Sequence, residues 1–354
     1  MSCRPRLIRR AAAMTLVAAT VSLTSCGSST PGATPAPPVT ATSAGGGSSS
    51  SSRASTSTTA TGAGSEATDA TDATDPTDPT DATAPGATTA TDPSATGQGP
   101  SEPTTSPRLP PQTGALKPGP ITVVTLGDSL TEGQGDDGGT GYPGRLPDLL
   151  AAKGRPGSTV VNVGHSGWDT QMLIDGAEDR PSELAEARTA IADAQSAGRP
   201  VVALVLIGSN DLWYLYEYGP ESGTDAEAEA ADVEHYRRNL ESIVSDLRTR
   251  GAQVVLAIND DQSRRDIATD ETRRGAALPA TTNAEVAQMS AQARRYATVV
   301  RDIASANGLP VADFLESPVY TNRATMSDDG NHPNAQGYDA IAQVWMEAMA
   351  PLLG

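Results

Sequence analysis

The sequence predicts an α/β fold in which helices cover both faces of a parallel sheet. From Ile121 to the C-terminus, five short apolar runs alternate with longer segments whose apolar residues recur three or four positions apart. Runs such as "PVVALVLIG" are apolar throughout, which is typical of strands buried on both faces of a sheet. Strands that alternate with helices in this way form βαβ units, and βαβ units build parallel sheets.

Each element follows from its own pattern. The predicted strands are "ITVVTL", "STVVNVG", "PVVALVLIG", "AQVVLAIN" and "LPVADF", which begin at residues 121, 158, 200, 252 and 309. The predicted helices include "LPDLLAAKG", "SELAEARTAIADAQSAG", "DVEHYRRNLESIVSDLRTRG", "NAEVAQMSAQARRYATVVRDIASANG" and the last segment, "NAQGYDAIAQVWMEAMAPLL". Gly154 and Gly251 stop two of these helices, because glycine adopts the left-handed conformation with which helices commonly end.

The unusual polar groups of the sequence lie where the predicted strands end. In open α/β sheets, ligands bind outside the carboxyl ends of the strands. The loops at this edge contain Gly127-Asp128-Ser129, Asn162-Val163-Gly164, Gly208-Ser209-Asn210-Asp211, Asn259-Asp260-Asp261-Gln262 and the stretch "SDDGNHP". We therefore expect one functional site at this edge, with Ser129 on the bend after the first strand.

Ser129 has a candidate partner for nucleophilic catalysis. A serine hydroxyl is a weak nucleophile until a base takes its proton, and histidine is the usual base near neutral pH. His235 lies on a predicted helix away from the site and His165 lies near it, but His332 occupies a polar turn at the sheet edge. Asp329 precedes His332 by three residues, so its carboxylate can reach the second ring nitrogen and stabilise the imidazolium.

An acyl-transfer site also needs hydrogen-bond donors for the negative oxygen that develops in the transition state. The backbone N–H of Ser129, at the start of a helix, is one candidate. The backbone N–H of Gly164 is a second, because glycine permits close backbone approach. The side-chain amide of Asn210 is a third, because it carries two N–H donors. The structural alternatives are that Ser129 caps the helix and that Gly164 is only a turn.

Four blocks of the sequence resemble the GDSL or SGNH hydrolases, in the order typical of that family. The blocks are Gly127-Asp128-Ser129-Leu130, Gly164, Gly208-x-Asn210-Asp211 and Asp329-x-x-His332. The resemblance spans residues 121–354 and implies a flavodoxin-like three-layer α/β/α sandwich with a five-stranded parallel sheet. It also implies a serine esterase without metal or cofactor, in which Ser129 is the nucleophile, His332 the base and Asp329 its partner. The implied oxyanion donors are Ser129, Gly164 and Asn210.

Aromatic residues cluster near the predicted site, although they make up only 3% of the chain. Trp213 and Tyr214 directly follow the Asn210 block, and Trp168 follows Gly164. Aromatic side chains with polar tips suit sugar rings and short acyl groups, so we predict that these three line a substrate pocket. Ordinary packing of a loop on the sheet is the alternative. The polar stretch 260–282 could form a mobile cover over the site. Its charged residues do not suit an apolar lid of the kind that covers lipid-binding sites.

Composition and charge exclude several classes of partner. The chain carries 25 Lys and Arg against 43 Asp and Glu, which gives a formal charge of −18. Such an acidic chain has no electrostatic surface for nucleic acid and is repelled by anionic lipids. Both cysteines, Cys3 and Cys26, precede the globular part, so no disulfide can cross-link it. The acids are scattered and the sequence has no paired histidines or cysteines, so we predict no metal site.

The first 120 residues predict an export signal and a stalk. Residues 1–25 combine a basic start with an apolar stretch that is too short to span a bilayer. They are followed by Cys26 in "LTSC", which resembles the lipobox of bacterial lipoproteins, where the cysteine is lipidated; a plain secretion signal is the alternative. Residues 26–120 are rich in Ser, Thr, Ala, Pro and Asp, and this composition predicts a disordered stalk.

These observations predict a serine esterase, residues 121–354, held at a bacterial surface by a lipid. The favoured substrates are short-acyl esters, including O-acetyl groups on carbohydrate. Lysophospholipids or longer acyl esters, and acyl transfer to another hydroxyl, are alternatives that use the same residues. A catalytically silent glycan-binding module is the alternative without enzymatic activity, although such a module has no need of Asp329 or His332. We expect a monomer whose only membrane contact is the N-terminal lipid.

Overall fold

A computed structural model describes residues 109–177, 180–220 and 223–354. The predicted signal peptide, the lipidation of Cys26 and most of the predicted stalk lie outside these residues and stay predictions. Among the described residues, no helix combines the length and the apolar character needed to cross a lipid bilayer.

Five parallel strands form one sheet, as the sequence predicts. They are β1 (Thr122–Gly127), β2 (Thr159–Asn162), β3 (Val201–Leu206), β4 (Gln253–Ile258) and β5 (Val311–Asp313). Their order in the sheet is β2-β1-β3-β4-β5, and every neighbouring pair is parallel. This is the flavodoxin-like order, in which the chain builds one edge after β1 and then returns past β1 to build the other. The predicted fold class is confirmed.

The central strands are almost completely buried, which explains their apolar sequences. Every residue of β1 and β3 is buried, and so is every residue of β4 after the first. Valine and isoleucine dominate these strands because β-branched side chains pack well on a pleated surface. β2 is an edge strand, and its four residues are exposed or half-buried.

Helices fill the connections between the strands. The α-helices of the described part are α1 (Ser129–Glu132), α2 (Leu146–Ala152), α3 (Thr170–Asp175), α4 (Glu183–Ser196), α5 (Ser209–Glu217), α6 (Ala226–Thr249), α7 (Asp266–Thr269), α8 (Glu271–Ala277), α9 (Asn283–Asn307) and α10 (Ala335–Leu353). Short 3₁₀ helices lie at Pro143–Arg145, Gln262–Arg264 and Pro318–Tyr320.

The helices cover both faces of the sheet, so the apolar core has two layers. One layer contains side chains of α2 and α10, such as Trp345, and the other contains side chains of α4, α6 and α9, such as Ile243. Successive residues of a strand point to opposite faces. Val123 therefore packs in the layer of Trp345, and Val124 packs in the layer of Ile243.

Residues 109–120 lie against the amino edge of the sheet, although the sequence predicts them as the end of the stalk. The side-chain amide of Gln112 donates to the carbonyl of Val254 at 3.1 Å and accepts from its N–H at 2.7 Å. The guanidinium of Arg155, which is buried, donates to the carbonyls of Leu116, Lys117, Gly119 and Leu353. The folded part of the chain therefore includes residues before 121, at the edge opposite to the carboxyl ends of the strands.

Candidate active site

Ser129 lies where β1 turns into α1, and Gly127 makes this turn possible. The φ angle of Gly127 is 151°, and a Cβ atom at this position would lie 2.0 Å from the carbonyl oxygen of Leu206. The carboxylate of Asp128 caps α1 by accepting from the N–H of Leu130 at 3.0 Å. Ser129 is thus the first residue of a helix that starts at the carboxyl edge of the sheet.

The structure brings the side chains of Ser129, His332 and Asp329 together. The Nε2 atom of His332 lies 2.9 Å from the hydroxyl oxygen of Ser129, and its Nδ1 atom lies 2.6 Å from Oδ2 of Asp329. Both separations are hydrogen-bond distances. In this arrangement His332 can take the hydroxyl proton while Asp329 fixes the tautomer of the ring and balances its positive charge.

The loop around Asp329 holds its side chain as a carboxylate. Its Oδ1 atom accepts hydrogen bonds from the hydroxyl of Ser327 at 2.7 Å and from the backbone N–H groups of Asn331 and His332 at 2.8 and 2.9 Å. Partial burial would raise the pKa of Asp329, but the hydrogen bond and positive charge of His332 and the backbone donors hold the pKa well below its usual value. Asp329 therefore stays ionised wherever a histidine works as a base.

The other two histidines do not contact the hydroxyl of Ser129. His235 lies on α6 and contacts a side chain of the same helix. His165 packs its ring against Trp168, with the ring centroids 4.4 Å apart. Of the three histidines, His332 is the one that the fold presents to Ser129.

Two of the predicted oxyanion donors have hydrogens available. The backbone N–H of Ser129 donates to no acceptor among the described residues. The side-chain amide of Asn210 donates to the carbonyl of Trp168 at 2.8 Å, which uses one of its two hydrogens and leaves the other. Both groups stand at the beginning of a helix that follows a central strand.

The structure corrects the third predicted donor, Gly164. Its N–H donates to the side-chain oxygen of Asn162 at 3.1 Å and is therefore engaged. A Cβ atom on Gly164 would lie 2.8 Å from Cβ of Thr131, so a glycine is needed here for packing against α1. Within residues 164–168, Gly167 is the residue whose N–H donates no hydrogen bond. Gly167, the second glycine of "GHSG", therefore replaces Gly164 as the candidate donor.

Side chains of α5 anchor the loop that carries Gly167. The hydroxyl of Tyr214 donates to the carbonyl of Gly167 at 2.8 Å. The buried carboxylate of Asp211 accepts from the backbone N–H and the hydroxyl of Thr170 at 3.0 and 2.5 Å. Together with the bond from Asn210 to the same loop, these contacts fix the loop relative to α5. The Asn210-Asp211 block thus positions a neighbouring loop as well as offering a candidate donor.

Two of the three aromatic residues predicted to line a pocket lie in the core instead. Trp168 and Trp213 are only 2% and 5% exposed, and Trp213 belongs to the apolar layer of α4, α6 and α9. Tyr214 is half-buried, and its hydroxyl donates to the carbonyl of Gly167. The prediction of Trp168 and Trp213 as pocket walls is wrong because large apolar rings gain more by filling the core.

The rim beside α1 is polar. The backbone N–H of Ser166 donates to the carboxylate of Glu132 at 2.8 Å, and its hydroxyl contacts the same carboxylate and the side-chain oxygen of Gln134. Gly135 lies against His332, since a Cβ atom at position 135 would lie 2.9 Å from Cβ of His332. The edge of the site therefore consists of polar side chains and of a glycine that has no side chain.

The ionisable groups of the site are engaged with one another. Both ring nitrogens of His332 and both carboxylate oxygens of Asp329 take part in hydrogen bonds, so neither residue is free as a metal ligand. In residues 109–177, 180–220 and 223–354, no group of three or more His, Cys, Asp or Glu side chains is placed to hold a metal ion.

Comparison with known proteins identifies the family of the chain. The sequence pattern of the GDSL-like lipase/acylhydrolase family matches residues 125–340, which is more than half of the chain. The chain belongs to this family. It is therefore an ester hydrolase. No curated protein sequence matches the chain.

Several solved structures are similar to this GDSL-like hydrolase. TesA is 18% identical, with a TM-score of 0.44 over 66% of this chain and 99% of TesA. A variant of Axe2, an acetyl xylan esterase from Geobacillus stearothermophilus, is 19% identical, with a TM-score of 0.42 over 68% of this chain and 99% of Axe2. The esterase EstA from Pseudoalteromonas sp. is 15% identical, with a TM-score of 0.41 over 65% of this chain and 96% of EstA.

Asp128, next to Ser129, is a buried acid whose proton affinity depends on folding. It is fully buried, and its Oδ2 atom has no hydrogen-bond partner among the described residues. Burial raises its pKa from 3.8 to about 7, although the N–H of Leu130 and the charge of Arg265 oppose the shift. The folded protein therefore holds a proton on Asp128 at pH values where the unfolded chain has released it.

Asp128→Asn removes this proton linkage while keeping a side chain that can cap α1. Because the folded-state pKa lies above the unfolded one, the contribution of wild-type Asp128 to stability is present in acid and is lost as the pH rises to about 7. We expect the free energy of unfolding of the variant, relative to wild type, to increase between about pH 5 and about pH 8. Urea denaturation at both pH values measures this difference. Asp148→Asn, which removes an exposed carboxylate of α2, is the control, and an equal pH dependence in both variants would contradict the assignment.

Proposed function

We propose that this hydrolase is a serine esterase that cleaves short-acyl esters, among them O-acetyl groups on carbohydrate. The observation that carries the proposal is the chain of hydrogen bonds from Ser129 through His332 to Asp329, at 2.9 and 2.6 Å. A base oriented in this way activates a hydroxyl for attack on an ester. Membership of the family supplies the reaction class, which is ester hydrolysis.

In the first half of the proposed reaction, the hydroxyl oxygen of Ser129 attacks the ester carbonyl while His332 takes its proton. The negative oxygen that forms accepts hydrogen bonds from the N–H groups of Ser129 and Gly167 and from the amide of Asn210. Asp329 stabilises the imidazolium ion. The tetrahedral intermediate then breaks its bond to the alcohol, which leaves with the proton held by His332. The acyl group stays on Ser129.

In the second half, water enters and gives a proton to His332 as its oxygen attacks the acyl carbonyl. The same three donors stabilise the second tetrahedral intermediate. Its collapse releases the carboxylic acid and returns the proton from His332 to the oxygen of Ser129. An alcohol that replaced water at this step would receive the acyl group, so the same residues serve hydrolysis and transfer.

The polar rim of the site favours ester substrates that have a small acyl group and a polar alcohol. Glu132, Gln134 and Ser166 offer donors and acceptors of the kind that carbohydrate hydroxyls bind. A long acyl chain gains affinity from each methylene that it buries against an apolar surface. The two tryptophans predicted to provide such a surface, Trp168 and Trp213, are packed in the core.

Hydrolysis of p-nitrophenyl esters from acetate to palmitate tests the proposal. We expect kcat/KM to be highest for acetate, and we expect Ser129→Ala to lower kcat by about four orders of magnitude or more, because the nucleophile is lost. Ser196→Ala is the matched control, since Ser196 is an exposed serine of α4 whose hydroxyl donates to the carbonyl of Ala192 in the same helix. Circular dichroism establishes that each variant is folded.

Three outcomes would contradict the short-acyl esterase. A maximum at long chains would indicate a hydrolase of longer acyl esters or lysophospholipids. Turnover that requires an added hydroxyl acceptor would indicate an acyltransferase. A folded protein that binds glycan but cleaves no ester would indicate a catalytically silent module.

Asn210→Ala removes one proposed oxyanion donor. We expect kcat for the acetate ester to fall by about 100- to 1,000-fold with little change in KM, because the donor acts on charge that develops in the transition state. The substitution also frees the carbonyl of Trp168. Tyr214→Phe separates the two effects, because it removes a bond of the same length to the same loop, from the Tyr214 hydroxyl to the Gly167 carbonyl. An equal loss of kcat in both variants would mean that Asn210 acts only as an anchor.

The cellular location of the enzyme is a separate proposal, and it rests on residues before 109, which the structure does not describe. We propose that the signal peptide ends before Cys26 and that acyl chains on this cysteine hold the enzyme on the outer side of the membrane. The basic start, the apolar stretch and "LTSC" support the proposal. Mass spectrometry of the mature N-terminus should find an acylated Cys26, and Cys26→Ser should release the protein from membranes. An unacylated N-terminus at another residue would argue against the anchor.

A further inference from the structure

Residues 260–277, here named the clamp segment, belong to the stretch 260–282 that the sequence marks as a possible cover over the site, and several of their polar side chains are buried. The clamp segment contains the 3₁₀ helix Gln262–Arg264 and the helices α7 and α8. Its buried polar side chains are Asp260, Asp261, Gln262, Arg265 and Arg274. Burying a polar group costs free energy unless the group is hydrogen-bonded. The side-chain amide of Gln262 has no hydrogen-bond partner among the described residues. The partners of the other four side chains indicate what the segment holds in place.

Arg265 forms a buried ion pair with Asp260. Its Nε and Nη2 atoms donate to the two carboxylate oxygens at 2.9 and 2.6 Å, and the side chains are 1% and 3% exposed. The planar fork of a guanidinium fits a carboxylate in this two-bond arrangement. The ring of Tyr320 lies beside the group, with its centroid 4.9 Å from Cζ of Arg265. These contacts fix the direction in which the remaining donors of Arg265 point.

The Nη1 atom of Arg265 holds Asn331, the residue that precedes His332. The Nη1 atom donates to the backbone carbonyl of Asn331 at 3.1 Å and to its side-chain oxygen at 2.8 Å. One guanidinium thus connects a buried carboxylate of the clamp segment to the backbone beside the proposed base.

Two further bonds attach the same loop to the clamp segment. The N–H of Ile267 donates to the carbonyl of Gly330 at 2.9 Å, and the guanidinium of Arg273 donates to the carbonyl of Asp328. A Cβ atom on Gly330 would lie 2.9 Å from Cβ of Asp266, so the two stretches of chain are in close contact. Within residues 328–331, three of the four backbone carbonyls are therefore held by the clamp segment.

These carbonyls belong to the loop that carries both Asp329 and His332. The loop has no helix or strand of its own between residues 327 and 333 apart from one isolated bridge. Within it, the N–H of Ser327 donates to the carbonyl of His332 at 2.8 Å, but the carbonyls of Asp328, Gly330 and Asn331 are bonded to the clamp segment. A shift of the backbone at Asn331 would move the ring of His332 relative to Ser129. A displacement of about 1 Å in a catalytic group is enough to cost roughly 100-fold in rate.

We propose that the clamp segment, chiefly through Arg265, positions the His332 ring between Ser129 and Asp329. The inference rests on the proposed function of these three residues. Arg265 touches no reacting atom and is a positioning residue. Its ion pair with Asp260 orients the guanidinium, and the guanidinium orients Asn331.

Arg265→Lys in the full chain tests the proposal. Lysine keeps a positive charge near Asp260 but lacks the planar fork, so it cannot hold the carboxylate and both oxygens of Asn331 at once. We expect kcat for p-nitrophenyl acetate to fall by about 10- to 100-fold and KM to change by less than about threefold, because a misplaced base impairs the chemical step more than binding.

Arg155→Lys is the matched control, because it makes the same substitution at another buried arginine. Arg155 holds four backbone carbonyls at the amino edge of the sheet, opposite to the site. We expect this variant to lose stability and to keep the wild-type kcat under conditions in which both variants are folded. A wild-type kcat in Arg265→Lys, or an equal loss in both variants, would overturn the proposal.

Arg273→Gln keeps the test decisive if Arg265→Lys does not fold. The side chain of Arg273 is 32% exposed, so its replacement does not leave a buried charge without a partner. We expect kcat to fall a few-fold, since one of the three carbonyl contacts is removed. An unchanged kcat in this variant would overturn the positioning role of the clamp segment.

A readout that needs no activity separates this inference from the proposed function. The proton between Nδ1 of His332 and Asp329 should give a downfield ¹H NMR signal while the ring is held in place. We expect the signal in the wild type and in Arg155→Lys, and its loss in Arg265→Lys. That pattern in a protein without esterase activity would support the positioning role and refute the proposed function. An undiminished signal in Arg265→Lys would refute the positioning role itself.

Discussion

A parallel sheet collects the carboxyl ends of all its strands at one edge, and the proposed chemistry depends on this constraint. Ser129 and His332 are 203 residues apart in the chain, yet their side chains meet at 2.9 Å because one follows β1 and the other follows β5. Asn210 follows β3, which is the neighbour of β1 on the other side from β2. The chain reverses its direction of growth between β1 and β3, and such a switch point leaves a crevice into which loops from both strands project. The groups assigned to the oxyanion follow β1, β2 and β3, the three strands at this switch point.

Asp128 and Asp329, the two acids near Ser129, lie in environments that shift their pKa values in opposite directions. This difference distinguishes their roles. Asp128 is fully buried, and burial raises its pKa to about 7. Asp329 is bonded to His332 and to backbone donors, which hold its pKa well below the usual value despite partial burial. Asp329 is therefore the carboxylate available to stabilise an imidazolium ion, whereas Asp128 serves as the cap of α1. Environments that push the pKa values of neighbouring acids apart are characteristic of sites in which each acid has a separate role.

The sequence predicted the strands and the pairing of Asp329 with His332 because both depend on local patterns, and it placed Ser129 near them because a parallel sheet gathers the carboxyl ends of its strands. An apolar run identifies a buried strand without knowledge of its neighbours, and the three-residue spacing places Asp329 within reach of His332. The errors concern contacts that a local pattern does not encode. The sequence does not show that the N–H of Gly164 is engaged, because that hydrogen bond depends on how the loop folds back on Asn162. The burial of Trp213 depends on which face of α5 meets the sheet, and the partner of Arg265 lies 66 residues away.

The buried pair of Arg265 and Asp260 is better explained by the geometry of the site than by stability. Desolvating two charges offsets most of the attraction between them, so a buried ion pair contributes little net stability compared with apolar residues of similar size. Ser129 and Asn210 need no ion pair to position them, because each lies at the start of a helix that directly follows a buried strand. His332 lies in an irregular loop, and an irregular loop reaches a single conformation only when its backbone groups are bonded to something rigid. A guanidinium held by a buried carboxylate is rigid, and its Nη1 atom donates to the backbone carbonyl and the side chain of Asn331, beside His332. The ion pair thus fixes the position of His332, as the buried strands fix the positions of Ser129 and Asn210.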